Sequence, residues 1–207
     1  MSKVSGFYGV ESYDLILLLA RLLRTAGASV VLVDNSTEKS LQYAIPGLND
    51  GGVVEYDGLR AVSGLKSSPK GADYTLVYFG YNVTDVLCGM CDEVFLVTDY
   101  QKHNVERLKT VQLGNGQYPF LVLRDRVSSK ITPEWIQLEL QDFEIENEAV
   151  FELEDTEADL ENKVLLQHNS DKKIKKPSNS MMAFFAAVLL SDFESTEIKK
   201  LMKGIRG

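Results

Sequence analysis

Lys3 to Phe7 reads as a short strand, and after it four runs of β-branched, aromatic and leucine residues recur along the first 125 positions: Ser29 to Val33, Thr75 to Phe79, Glu93 to Thr98 and Phe120 to Leu123. They are apolar at consecutive rather than alternate positions, the pattern of strands buried on both faces. Such strands need cover on both sides. Helical patterns lie between them: an apolar helix from Ser12, a candidate N-cap, through Thr25, with Gly27 placed to end it, and shorter ones near Val83 to Leu87 and His103 to Val111. The alternation predicts an α/β fold in three layers, a mostly parallel sheet sandwiched between helices. Val53 to Tyr56 and Leu59 to Val62, split by Asp57-Gly58, predict a hairpin on that sheet.

Beyond Arg126 the pattern loosens. Pro133 suits the first position of a helix through Leu140, and Met181 to Leu190 is apolar all round and therefore reads as buried. The last helix, Glu194 to Ile205, sets Ile198, Leu201, Met202 and Ile205 on one side and Lys199, Lys200 and Lys203 on the other. No repeat or linker interrupts the 207 residues, so the chain reads as one domain, residues 1–207, ending in an amphipathic helix over 194–207. Leu15 to Leu23 and Met181 to Leu190 fall short of the roughly 20 residues of a membrane span. The start, MSKVSGFYGVES, lacks the pattern of a secretory signal. A cytoplasmic location is expected, with the last helix offering peripheral contact at the inner face of a membrane.

The formal charge of -8 argues against a dedicated nucleic-acid binder, because phosphate contacts need a concentrated basic surface. The acidity is concentrated. Residues 139–161 hold eleven Asp or Glu and no Lys or Arg, so the rest of the chain sums to +3 (-8 minus -11). The alternation in FEIENEAVFELED suits a strand at a solvated sheet edge, and docking of a basic partner is the second reading.

A glycine-bearing turn between a first strand and a first helix is where α/β folds bind phosphate, since backbone N–H groups and the helix dipole converge there. Here the turn reads GFYGVESYD, followed by LARLL (Leu19 to Leu23), VVLVDNS (Val30 to Ser36), DYTLVYFG (Asp73 to Gly80) and CDEVFLVTD (Cys91 to Asp99). In order and spacing these resemble the MinD/ParA group of deviant Walker A P-loop ATPases, including its TadZ/CpaE-like pilus-assembly branch. The resemblance covers residues 1 to about 125 and implies a nucleotide-binding sheet and face-to-face dimers. It puts Phe7 at the signature lysine, Tyr8 and Glu11 at glycines, Ser12 at the phosphate-gripping lysine, and Tyr13 and Asp14 at the hydroxyl pair that helps to hold magnesium. Tyr78 takes the Walker B aspartate position. Gly9 and Val10 keep the family pattern, and Asp34 matches the acid that closes the second strand.

Two lost lysines remove about 3–6 kcal/mol of triphosphate affinity. Glu11 adds repulsion of up to about 3–4 kcal/mol against a phosphate charge. Micromolar binding is only about 8 kcal/mol, so ordinary ATP binding should be lost and no cofactor is expected. Any residual contact would involve Gly6, Gly9, Glu11, Ser12 and Asp34. A dinucleotide site using Asp34 for a ribose would need GxGxxG, and only Gly6 and Gly9 are present. The aromatic replacements Phe7, Tyr8 and Tyr13, with Ile198, Leu201 and Met202, are the candidate interface for a homodimer or for a heterodimer with a related ATPase.

Cys88-Gly-Met-Cys91 precedes a strand instead of opening a helix, which argues for two reduced, partly buried thiols over a redox pair. His103 reads as a solvated helix residue and His168 as a loop residue, without the companion spacing of a metal or catalytic site. The expectation is therefore a catalytically inactive member of the resembled family, a pseudo-ATPase that positions or regulates a bacterial assembly such as a pilus, secretion or division apparatus. The alternatives are an atypical weak ATPase and a peripheral membrane adaptor.

Overall fold

The computed structural model describes residues 2–67, 69, 71–114, 117–126, 128–168 and 174–204. The strands are β1 (Lys3–Gly9), β2 (Val30–Asp34), β3 (Val53–Tyr56), β4 (Leu59–Ser63), β5 (Tyr74–Gly80), β6 (Glu93–Thr98), β7 (Phe120–Leu123) and β8 (Val150–Glu152). They form one sheet in the order β3-β4-β2-β5-β1-β6-β7-β8. Only the β3–β4 pair is antiparallel, the predicted hairpin turning at Asp57 and Gly58, both at positive φ. The helices are α1 (Tyr13–Thr25), α2 (Ser40–Ala44), α3 (Lys102–Leu108), α4 (Pro133–Glu139), α5 (Glu157–His168), α6 (Asn179–Leu189) and α7 (Ser195–Gly204). None among the described residues is long and apolar enough to cross a membrane.

Alternate strand residues feed two cores, as the pleat requires. Phe7, Leu32, Leu76, Phe95 and Val122 face a core built with α1, α6 and α7, while Tyr8, Val33, Phe79, Leu96 and Leu121 face one built with α3 and α4. This is the expected three-layer α/β arrangement. Helix α1 ends as Gly27 suggested: at φ 89 it lets its own N–H reach the Arg24 carbonyl and the Ala28 N–H reach the Leu23 carbonyl.

Three elements differ from the sequence-based expectation. The helix near Val83 to Leu87 is absent because Asn82 Oδ1 accepts from the Thr84 N–H and Asp85 Oδ1 from the Leu87 N–H, local turns that compete with helix, and only a short 3₁₀ turn, Cys88–Met90, follows. Helix α5 arises inside the acidic stretch, so His168 ends a helix instead of lying in a loop. Its start is a capping box in which Thr156 Oγ1 accepts from the Asp159 N–H and Asp159 accepts from the Thr156 N–H. The last helix is described to Gly204, and Ile205 lies outside the described residues.

The third difference concerns β1, which runs on through Gly9, so GFYG is strand and the turn begins only at Val10. At Gly9 (φ 109) the backbone crosses β6 so closely that an added Cβ would lie 1.9 Å from the Val97 carbonyl oxygen, which also accepts from the Val10 N–H at 2.9 Å. Gly9→Ala is expected to cost at least about 2 kcal/mol, read as a lowered urea midpoint.

Candidate functional site

The C-terminal ends of β1, β2, β5, β6 and β7 converge where a parallel α/β sheet binds ligands. The groups gathered there satisfy one another. Arg124, first residue after β7, is 2% exposed, and its guanidinium grips the Asp14 carboxylate in a two-point pair at 2.7 and 2.8 Å. It also reaches Asp155 at 3.1 Å and donates to the Glu11 carbonyl at 3.2 Å. Asp14 lies in the first turn of α1, 2% exposed, at the magnesium-hydroxyl position of the resembled loop. Burial opposes the Arg124 charge, but Asp14 and then Asp155 outweigh it and hold the guanidinium above its usual range. Burial pushes the Asp155 carboxyl up beyond what Arg124 pulls down.

Helix α5 packs across this edge against α1 and α2. The Tyr13 hydroxyl donates to the Lys163 carbonyl at 2.8 Å, and Lys163 Nζ stands 3.6 Å from Glu11. Ser12 holds the N-cap position of α1, but ψ of 20 turns its hydroxyl from the helix N–H groups. Its Oγ is buried without a hydrogen-bond partner.

The candidate interface aromatics are core residues. Phe7 and Tyr8 are fully buried on opposite faces of β1, stacked on Phe95 at 4.6 Å and Phe79 at 4.7 Å, and Tyr13 is 2% exposed. Because β1 extends through Gly9, its pleat turns both rings inward, which corrects their assignment to a docking surface. Replacing Tyr8 or Tyr13 with Asp would bury a charge rather than test association. Ile198 and Leu201 on α7 are likewise buried, with half-buried Met202 beside them, in the core shared with α1 and α6. That apolar face is spent on the domain, not offered to a partner or a lipid.

Gly6 leaves room for Cys91, whose Sγ would lie 2.7 Å from an added Cβ. Asp34 is fully buried and committed to its own loop: Oδ1 accepts from the Ser36 N–H and hydroxyl, and Oδ2 from the Gln42 N–H near the start of α2. At 0% exposure it is closed off from a ribose. Tyr78, which the resemblance would set at the Walker B position, is 1% exposed and fills space beside β2. Among the described residues no group of His, Cys, Asp and Glu is arranged to hold a metal ion.

Sequence reasoning missed Arg124. The signal was available: Asp14 sits among apolar residues at the start of a buried helix, and a buried carboxylate requires a cation. Arg124 leaves a buried strand at the same sheet edge. Arg124→Met should cost about 3–5 kcal/mol in urea denaturation by leaving Asp14 unpaired, and adding Asp14→Leu should recover most of that loss.

Cys88 and Cys91 are free and buried. Burial raises both thiols, Cys91 to about 12. Both states keep the thiols protonated below about pH 8.5. Above it the unfolded chain releases protons that the folded one retains, so stability should fall as pH rises. Urea midpoints across pH 7–10 should show this loss, and in Cys88→Ala/Cys91→Ala its onset should move to about pH 10, where tyrosines ionise in the unfolded chain while burial keeps Tyr8, Tyr13 and Tyr78 protonated in the folded one.

No protein-family model matches the chain, and no curated protein matches it. Solved structures do. A chain of the MinC:MinD cell division protein complex from Aquifex aeolicus superposes with a TM-score of 0.58 at 11% identity, covering 99% of this chain and 96% of that one. ParA of pNOB8, bound to nonspecific DNA, does so with a TM-score of 0.52 at 12% identity, covering 99% and 97%. What these neighbours share with this chain is its architecture: the sheet and its flanking helices have the fold of the MinD and ParA P-loop ATPases.

Proposed function

We propose that the chain is a nucleotide-independent protein of the MinD/ParA fold, a pseudo-ATPase that acts through protein contacts as a localisation, scaffold or regulatory factor for a bacterial assembly. The observation that carries this reading is the fate of Arg124, the one buried cation at the ligand edge among the described residues. Arg124 could have gripped a phosphate, yet it is bound on two sides by Asp14 and Asp155. Freeing it would cost about 3–5 kcal/mol, a large part of the roughly 8 kcal/mol in micromolar binding, before any phosphate contact formed. The loop cannot readily revert either, since Phe7, at the lysine position, is a fully buried core ring.

The neighbour in the MinC:MinD complex is part of a protein assembly, which favours protein partners here too. The neighbour on DNA raises nucleic acid as a target, but a net charge of -8 weighs against phosphate. A weak-nucleotide reading is favoured by one observation, the unpartnered buried Ser12 hydroxyl at the start of α1. Calorimetric titration with ATP and magnesium separates the two. No heat of binding is expected up to about 100 μM nucleotide, and a dissociation constant near 1 μM would overturn the pseudo-ATPase reading.

A further inference from the structure

The acidic stretch divides in two in the folded chain. Six of its eleven carboxylates are engaged: Glu139 with Lys109, Glu152 and Glu154 with Arg126, Asp155 with Arg124, Glu161 with Lys175, and Asp159 in the α5 capping box. Four of the remaining five, Asp142, Glu144, Glu146 and Glu148, are consecutive in the stretch, exposed, and without a hydrogen-bond or ion-pair partner among the described residues. Glu144 lines, with Glu134, a cleft of about 330 Å³ between α4 and the segment that follows it, whose walls include Leu138, Ile145 and Gln137, and Glu146 and Glu148 lie further along the same exposed segment. The Gln137 amide donates to the Ile145 carbonyl at 2.7 Å and to Asn147 at 3.1 Å, fixing the two walls together.

Helix α4 is apolar on both sides. Ile136 and Leu140 are buried in the core, yet Leu138, which lines the cleft, is 64% exposed, and Trp135, three residues before it on the helix, is 38% exposed. A cleft that sets Leu138 and Ile145 beside the carboxylates of Glu134 and Glu144 has a definite complement. We propose that it docks an amphipathic helix of a protein partner, inserting apolar side chains beside Leu138 and setting Lys or Arg against Glu144, Glu146 and Glu148. A second copy is disfavoured, since a two-fold contact would set this rim against itself. An anionic membrane is repelled for the same reason. The proposal rests on the reading of the chain as a protein-binding module, but it is tested without nucleotide, so either can fail alone.

Trp135 is the only tryptophan, so its emission reports on the exposed surface of α4, one helical turn from Leu138. The probe is a synthetic helical peptide of roughly 18 residues with a leucine face and a lysine face, compared with one in which every lysine is glutamine. The lysine peptide should blue-shift Trp135 saturably and bind at least about tenfold more tightly than the glutamine peptide. Glu144→Gln/Glu146→Gln/Glu148→Gln should weaken it about tenfold, and so should Leu138→Asp, a change at an exposed position. The distant triple Glu55→Gln/Glu157→Gln/Glu194→Gln, with the same change in net charge, should leave affinity within about twofold. The proposal is overturned by an unshifted Trp135, by equal binding of both peptides, by equal losses in the two triples, or by a homodimer in light scattering that Leu138→Asp dissociates.

Discussion

One buried ion cluster decides what the ligand edge of this protein can do. Arg124 and Asp14, each 2% exposed, meet in a two-point hydrogen-bonded pair, with Asp155 completing a triad of net charge -1. Two charges removed from water are stable together only because each satisfies the other, and losing either strands its partner in low dielectric. The triad also ties the start of α1, the end of β7 and the approach to α5 into one corner. The geometry that brings strand ends together for a ligand here brings the chain to itself.

Most of the sheet was legible in the sequence because its signal is local. Runs such as Val30 to Val33 and Phe95 to Val97 are apolar on both faces, and Gly27 and Pro133 mark a helix end and a helix start by backbone chemistry alone. The ligand edge was less legible because its chemistry is non-local. Asp14 and Arg124 are 110 residues apart, and nothing in either neighbourhood names the other. The same distinction explains α5. Its apolar positions are few, and its position depends on distant partners: Asn162 holds both backbone groups of Lys175, and Asp159 accepts from the Ser178 N–H.

The aromatic residues of the first turn show how one added strand residue reverses an inference. Had β1 stopped at Phe7, Tyr8 would belong to a loop and could face outward. Because it continues to Gly9, Phe7 and Tyr8 fall on alternate faces of a central strand between β5 and β6, and each ring enters a core. Their size fits that setting: each stacks on a phenylalanine of a neighbouring strand, burial worth about 1.5–3 kcal/mol per ring. Residues that replace a phosphate-binding lysine and glycine in the resembled loop thus support the sheet.

The ligand edge is filled by packing and ion pairing among the described residues, so a surface available to a partner lies outside it. Many charges on the described surface are offset: Arg24 and Arg21 share Asp57, Lys3 bridges Glu93 and Asp192, and Arg107 lies over Tyr81 and pairs with Glu38. The segment from Asp142 to Glu148 departs from that pattern, with like charges close in sequence beside exposed apolar groups of α4. Like charges at such spacing repel one another in the free protein, and a cationic partner relieves that repulsion while covering the apolar surface. At the strand ends buried charges are held against one another, whereas along this face they are left unmatched.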